Sequence, residues 1–288
     1  MSTHTTTVTA NEAEQVRRAN ESGRQPVVLV HGLWLLAGSW DGWKQYFEDR
    51  GYAAIAIDWP GDQGSYAEAH AHPDSLAGTS VPDVADHIEE VIRGLDRKPA
   101  IIGHSFGGLL VQILAGRGLA AATVAIDPAP SQGVLPLPFS ALKAAFPVLG
   151  NPLNFGRTVT LTFDQFRYGF ANAVSEEEAH ALYESVHTPA PGRPLFQAAT
   201  ANLNPFARTK AAKTNDDRGP LLVVTGEKDH IVPFAMANAA YKKQRKNKSA
   251  TTELVEIPGV GHSLIIDSGW GAVADAAHAF FQDQGVVA

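Results

Sequence analysis

Short, uninterrupted apolar runs recur along this chain, and most are followed by a longer segment whose apolar residues repeat with helical spacing. Such runs are typical of strands buried on both faces. Their alternation with helices predicts an α/β fold with a mostly parallel central sheet flanked by helices. The runs predict strands at 26–31, 53–58, 100–104, 122–127, 221–225 and 251–257. The helical spacing predicts helices at 39–50, 81–95, 106–116, 234–245 and 270–282.

The alternation stops between residues 131 and 215. That segment is rich in Pro and Asn, and it contains ten of the chain's nineteen Phe and Tyr residues. Helical patches lie near 140–146, 162–173 and 175–186, and aromatic rings need an apolar partner to bury against. We therefore expect a core domain made of residues 1–130 and 216–288, with 131–215 inserted as a helical lid (cap) subdomain. A long structured loop is the alternative.

One serine stands in a position that favours catalysis. Residues 103–107 are Gly-His-Ser-Phe-Gly, with Ser105 between a predicted strand and a predicted helix. This is the setting of a nucleophile elbow, in which the serine takes a strained backbone conformation and a side chain at either glycine would collide with its surroundings. The alternative is a glycine-rich turn with an uninvolved serine.

A serine hydroxyl needs a base within hydrogen-bonding distance, and the base needs an acid that orients it. His262 follows the last predicted strand, and Asp229 follows the strand before it. Because the carboxyl ends of parallel strands meet at one edge of a sheet, both side chains are expected beside Ser105. Asp127, at the end of the fourth predicted strand, is a second candidate for the acid.

With these residues in place, the chain resembles the α/β-hydrolase family from about residue 26 to its C-terminus. The segments that carry the resemblance are Val-His-Gly-Leu at 30–33, Asp-Trp-Pro-Gly-Asp at 58–62, the serine pattern at 103–107, and 226–233. In two places the chain departs from the family. Asp62 stands where many members have His, and 10–22 predicts a helix capped by Asn11 where the family usually starts with an antiparallel hairpin. His31 is expected to make structural hydrogen bonds.

The resemblance implies a serine hydrolase of the esterase type. Ser105 would be the nucleophile, His262 the base and Asp229 the acid. The backbone N–H groups of Leu33 and Phe106 would form the oxyanion hole. Such a site requires neither a metal nor an organic cofactor, and its partner is a small-molecule ester substrate.

The aromatic content of the inserted segment predicts an apolar substrate pocket. Phe163, Phe166 and Phe170 have the spacing of one helix face, and Trp34 follows the oxyanion segment. We expect these four side chains to line the pocket, so the expected substrates are carboxylic esters of apolar or aromatic small molecules. The same residues fit amide, lactone or C–C bond hydrolysis and cofactor-free perhydrolysis. They also fit a non-catalytic small-molecule receptor.

Composition and charge narrow the partners. The 30 acidic and 23 basic side chains give a formal net charge of −7, which disfavours binding to nucleic acid or to an anionic membrane surface. The absence of cysteine removes disulfides, thiolate metal sites and cysteine nucleophiles. No apolar stretch has the length of a membrane span, and the polar N-terminus lacks the pattern of a signal peptide, so we expect a cytoplasmic protein. The oligomeric state is not predicted.

Overall fold

The computed structural model describes residues 8–204, 209, 211–212 and 214–288. Within them the strands are β1 (Pro26–Val30), β2 (Ala53–Ile57), β3 (Ala100–His104), β4 (Ala122–Ile126), β5 (Thr158–Val159), β6 (Ala190–Pro191), β7 (Leu221–Gly226) and β8 (Thr252–Ile257). The helices are α1 (Ala10–Ser22), α2 (Asp41–Glu48), α3 (Tyr66–Ala71), α4 (Val81–Arg93), α5 (Phe106–Gly116), α6 (Phe139–Leu149), α7 (Phe163–Gly169), α8 (Glu176–Val186), α9 (Arg193–Thr200), α10 (Phe234–Gln244) and α11 (Trp270–Asp283). None of these helices combines the length and the apolar character needed to cross a membrane.

Six of the strands form one sheet in the order β2-β1-β3-β4-β7-β8, and every neighbouring pair is parallel. The interior strands β1, β3, β4 and β7 are buried at every residue, which is why the sequence shows them as unbroken apolar runs. All six strands end at the same edge of the sheet. The α/β fold with a parallel central sheet flanked by helices is thus confirmed, and the predicted strand ends differ from the observed ones by one residue or none.

The N-terminal helix α1 docks against the open edge of this sheet. Its N-cap is Thr9 rather than the predicted Asn11, because the Thr9 hydroxyl accepts from the N–H of Glu12 and the Glu12 carboxylate accepts from the N–H of Thr9. The Gln15 side-chain amide pairs with both the N–H and the C=O of Ala56 in the edge strand β2. A helix therefore covers the edge where the family usually has an antiparallel hairpin.

Helices α2 and α11 of the core meet through aromatic rings. Trp43 and Phe47 of α2 pack against Trp270 and Phe281 of α11. Ser39, at the start of the helix predicted over 39–50, does not cap α2; its hydroxyl donates to the carbonyl oxygen of Leu36 inside a 3₁₀ turn. The aromatic contacts join α2 to the C-terminal helix α11.

The inserted segment between β4 and β7 is helical, as predicted, but it is not a pure helical unit. It holds α6 to α9 and a two-stranded antiparallel ladder of β5 and β6. Two helices were not predicted: α9, because Pro189 to Pro194 favours a turn, and α3, because its surroundings are rich in Gly and Pro. Some aromatic rings of the segment do not find the partner that the composition suggests, since Phe139 and Phe146 are 80% and 70% exposed.

Candidate active site

Ser105 lies at the sharp turn between β3 and α5. Its backbone has φ 57° and ψ −118°, a conformation that few non-glycine residues adopt. Only glycine fits at the two flanking positions of the pattern, because a side chain there would collide with the backbone. A Cβ at Gly103 would lie 2.2 Å from the carbonyl oxygen of Gly107, and a Cβ at Gly107 would lie 2.1 Å from the carbonyl oxygen of Val30. The turn brings Ser105 to the wall of a cavity at the carboxyl edge of the sheet.

Asp229 and His262 meet at this same edge, after β7 and β8. The distance from Asp229 Oδ2 to His262 Nδ1 is 2.6 Å, and both side chains are fully buried. The other carboxylate oxygen of Asp229 accepts from the backbone N–H groups of Ile231 and Val232. Burial alone would raise the pKa of Asp229, but the charge and hydrogen bond of His262, together with these donors, lower it below its ordinary value.

The second ring nitrogen of His262, Nε2, has no hydrogen-bond partner among the described residues. The ring is held between Phe170, whose centroid lies 4.9 Å away edge to face, and His104, whose centroid lies 4.5 Å away. The structure therefore joins Asp229 to His262, but no hydrogen bond joins His262 to Ser105. Bonds of that kind often tighten only when a substrate is present.

Asp127, the second candidate for the acid, has a different environment. It follows β4 with φ 39°, and its Oδ1 accepts from the N–H of Gly226 at 3.0 Å. Burial raises the pKa of the Asp127 carboxyl well above its ordinary value, and the neighbouring negative charge of Asp229 adds to this rise. Burial and the neighbouring charge thus favour the neutral form of Asp127, and Asp229 is the carboxylate bonded to His262 Nδ1.

The two expected oxyanion donors border the same turn. Phe106 is the first residue of α5, and Leu33 follows Gly32 in the loop after β1. A Cβ at Gly32 would lie 2.8 Å from Ser105 Cβ and 3.4 Å from the backbone nitrogen of Phe106, so the loop touches the elbow. Neither backbone N–H donates a hydrogen bond to another described residue. Both remain available to a substrate oxygen.

The cavity beside Ser105 has a volume of about 150 Å³ and is almost entirely apolar. Its walls come from Trp34, from the Leu and Ala side chains of α6 and α9, and from residues around the start of α10. The principal lining residues are Trp34, Leu137, Ala141, Leu142, Ala145, Leu149, Leu195, Ala198, Ile231, Val232 and Met236. The lining residues of α6 and α9 were not predicted from the sequence. The row of Ala and Leu at helical spacing in 141–149 is the signal that indicates them.

The structure corrects three of the four predicted pocket residues. Trp34 lines the cavity, but Phe163, Phe166 and Phe170 do not. Phe166 stacks on Phe170 at 5.2 Å, and both are buried, while Phe163 stacks on His180 at 3.7 Å. The physical reason is that each ring finds an aromatic partner inside the segment: Phe166 and Phe170 pack on each other, and Phe163 packs on His180. Phe170 does reach the site, through its edge-to-face contact with His262.

Among the described residues, His104, Asp127 and His262 form the one group whose nitrogen and carboxylate atoms lie close enough to suggest a cation site, within 4.8 Å of one another. His262 already uses Nδ1 to bind Asp229, and Asp127 uses Oδ1 to bind Gly226. Burial, more than any neighbouring charge, holds the pKa of His104 well below its ordinary value, so this ring is neutral. We interpret the group as a buried polar layer behind Ser105.

Comparison with known proteins gives a family and a fold. A model of the alpha/beta hydrolase family matches residues 27–276. The non-heme chloroperoxidase of Burkholderia pyrrocinia is 28% identical to this chain over 271 residues, which cover 84% of this chain and 86% of that protein.

Two solved structures are similar in fold. The monoacylglycerol lipase of Paleococcus ferrophilus has a TM-score of 0.58 and 23% identity, over 90% of this chain and 93% of that one. An extracellular α/β-hydrolase from a Paenibacillus species has a TM-score of 0.63 and 20% identity, over 87% of this chain and 96% of that one.

Proposed function

This chain belongs to the alpha/beta hydrolase family, and from that premise we propose that it is a serine hydrolase that cleaves carboxylic esters of apolar small molecules. The observation that carries the proposal is the buried Asp229–His262 hydrogen bond of 2.6 Å at the same sheet edge as the strained Ser105, which opens into an apolar cavity. A strained backbone conformation at a non-glycine residue costs free energy, so its presence at Ser105 supports a functional role for this serine.

The reaction follows from the roles that this geometry supports. The Ser105 hydroxyl attacks the ester carbonyl, and His262 Nε2 takes its proton and passes it to the leaving alcohol. Asp229 holds the imidazole in the tautomer that has its proton on Nδ1, and it stabilises the imidazolium. The N–H groups of Leu33 and Phe106 stabilise the tetrahedral oxyanion, at roughly 3–4 kcal/mol for each donor. Water then attacks the acyl-enzyme, and His262 serves again as the base.

The walls of the cavity support an aliphatic rather than an aromatic substrate group. Leu, Ala, Ile, Val and Met side chains make up most of the lining, and Trp34 and Phe106 are the aromatic members. We propose that 131–215 acts as a lid whose helices α6 and α9 close over this group. The monoacylglycerol lipase of similar fold is named for an aliphatic ester, in keeping with this proposal.

A perhydrolase is the second candidate, and one specific observation favours it. The Burkholderia pyrrocinia relative is named a non-heme chloroperoxidase. The same acyl-enzyme can be attacked by hydrogen peroxide instead of water, which gives a peracid and regenerates the Ser105 hydroxyl. Peracid formation from acetate and hydrogen peroxide, compared with ester hydrolysis by the same protein, separates the two activities.

The test is a panel of p-nitrophenyl esters with wild-type protein, Ser105→Ala and His262→Ala. Each variant should lower kcat by a factor on the order of 10⁴ to 10⁶, and the double variant should lose little more, because the residues act as one unit. Ser185→Ala, on the exposed side of α8, is the matched control and should keep full activity. A fluorophosphonate probe should label Ser105.

Two results would contradict the proposal. If either site variant keeps more than a tenth of wild-type turnover, the assignment of roles is wrong. If the wild-type protein turns over no activated ester and is not labelled, a non-catalytic receptor becomes the better interpretation.

A further inference from the structure

His31 is a buried side chain with a hydrogen-bond acceptor at each ring nitrogen. Its Nδ1 lies 2.8 Å from the carbonyl oxygen of Gly32, and its Nε2 lies 3.0 Å from Asp62 Oδ2. The side chains of His31 and Asp62 are at most 2% exposed. A carbonyl oxygen and a carboxylate only accept, so the ring that satisfies both partners carries two protons and is an imidazolium.

The loop after β2 holds this ring in place. The N–H of Trp59 donates to the same Asp62 oxygen at 2.6 Å, which fixes the carboxylate. The Trp59 ring stacks on His31 with centroids 5.8 Å apart, and its indole N–H donates to the carbonyl oxygen of His31. The pair therefore links the ends of the neighbouring strands β1 and β2 directly beneath the oxyanion segment.

The bond from His31 to Gly32 has a consequence for the next N–H. The carbonyl of Gly32 and the N–H of Leu33 belong to one planar trans peptide, so they point in opposite directions. His31 holds the carbonyl, and Gly32 lies against Ser105 and the backbone of Phe106. Because His31 holds the Gly32 carbonyl on one side of the peptide, the Leu33 N–H is fixed on the opposite side of the same peptide.

We propose that the buried His31–Asp62 ion pair sets the orientation of the Gly32–Leu33 peptide, and with it the Leu33 donor of the oxyanion hole. This inference rests on the proposed function, since it concerns the same site. His31 and Asp62 are positioning residues, because neither touches the reacting atoms. Asp62 is also one of the two places where the sequence departs from the family, since many members have His there.

The charges around the ring agree with an imidazolium. Burial alone would lower the pKa of His31, but the charge and hydrogen bond of Asp62 outweigh it and raise this pKa above 6.5, with a smaller contribution from Asp58. Asp58 is half-buried, and this partial burial together with the charge of Asp62 raises its pKa to about 6. The third neighbouring group, His104, is neutral. The charge on His31 is thus lost only as the pH rises through its raised pKa.

The test compares Asp62→Asn and Asp62→Ala with the control Asp58→Asn. Asp62→Asn keeps an oxygen for the Trp59 N–H but removes the charge, and it carries the test if Asp62→Ala fails to fold. We expect Asp62→Asn to lower kcat about 10-fold and Asp62→Ala to lower it up to about 100-fold. These losses are no larger than the loss in kcat caused by removing one oxyanion donor. KM should change less than threefold. Asp58→Asn should keep wild-type kcat, because Asp58 makes no hydrogen bond to His31.

A transition-state analogue separates positioning from simple destabilisation. An alkyl trifluoromethyl ketone forms a hemiketal oxyanion with Ser105, so its Ki should rise in the Asp62 variants by the same factor as kcat falls. A lower melting temperature with unchanged kcat and Ki would overturn the inference. Equal losses in Asp58→Asn and Asp62→Asn would do the same.

NMR titration of His31 in Ser105→Ala protein gives a readout that needs no activity. The ring should stay doubly protonated well above pH 6.5, and its pKa should fall in the Asp62→Asn background. If the wild type is inactive, the proposed function fails, and this titration still decides whether the ion pair exists. A His31 that titrates at or below 6.5 overturns the inference in either case.

Discussion

At the scale of single residues, the site depends on which of two neighbouring buried carboxyl groups, Asp127 or Asp229, carries the negative charge. Asp127 and Asp229 end neighbouring strands β4 and β7, and two ionised carboxylates so close would repel each other strongly. The donors decide which one ionises. Asp229 accepts from His262 and from two backbone N–H groups, whereas the Asp127 carboxyl accepts from the backbone N–H of Gly226.

This difference predicts opposite outcomes for two matched substitutions. Asp229→Asn should leave the fold intact and lower kcat by about 10⁴-fold, because an amide favours the wrong histidine tautomer. Asp127→Asn should stay within a few-fold of wild type near pH 7, since an amide replaces a carboxyl group whose neutral form is favoured by burial and by the charge of Asp229. Steady-state kinetics of the two variants measure this. Equal losses in both would show that the charge is shared in another way.

At the scale of secondary structure, helix α1 is held by a buried hydrogen bond between Glu12 and His87. The Glu12 carboxylate lies 2.8 Å from Nε2 of His87 in α4, and both side chains are at most 2% exposed. Burial would raise the pKa of Glu12, but the hydrogen bond from His87 and the donors of Thr9 lower it below 4.5. Because the folded pKa is lowered, the stabilisation is present above the unfolded value of Glu and is lost as the pH falls through the folded value.

Glu12→Gln should therefore reduce the free energy of unfolding by about 2 kcal/mol at pH 7, and by progressively less below pH 4.5. Urea denaturation at several pH values measures the difference. Glu21→Gln, on the exposed side of the same helix, should be neutral within about 0.5 kcal/mol. A Glu12→Gln effect of the same size at pH 7 and at pH 3 would contradict the role of the charge.

The helices of the inserted segment should divide into those that shape the cavity and those that only stabilise it. Ala145→Leu adds volume to the wall formed by α6, so activity on long acyl esters should fall at least 10-fold relative to acetate. Phe166→Ala removes a ring that is buried away from the cavity, so it should lower stability by about 3–5 kcal/mol without changing the preferred chain length. A chain-length series of p-nitrophenyl esters, with melting curves, measures both. A changed preference in Phe166→Ala alone would place the pocket elsewhere.

At the scale of the whole molecule, Trp43 connects helix α2 to the loop that carries His262. Its ring is buried against Trp40 and Phe47, and its indole N–H donates to the carbonyl oxygen of Ile265, three residues after His262. Trp43→Ala should lower the free energy of unfolding by about 3–5 kcal/mol, measured by urea denaturation. Phe155→Ala, at a ring that is 46% exposed, should cost far less. Similar losses in both variants would contradict a central role for this cluster.

The sequence by itself determined the features that depend on local patterns. Unbroken apolar runs locate strands buried on both faces, and the glycines at 103 and 107 locate the turn at Ser105, because only glycine fits there. Strand ends then placed Asp229 and His262 at the edge that holds Ser105, since parallel strands share a carboxyl edge. These signals belong to a few neighbouring residues, so no tertiary contact is needed to recognise them.

Tertiary structure alone decided which side chains meet. Phe163, Phe166 and Phe170 were expected at the pocket, but Phe166 stacks on Phe170 and Phe163 stacks on His180. Leu and Ala side chains of α6 and α9 line the cavity instead. The pairs His31–Asp62 and Glu12–His87 join positions 31 and 75 residues apart. Composition shows how much apolar surface a segment must bury, whereas the packing of whole elements decides what it is buried against and which buried charges acquire a partner.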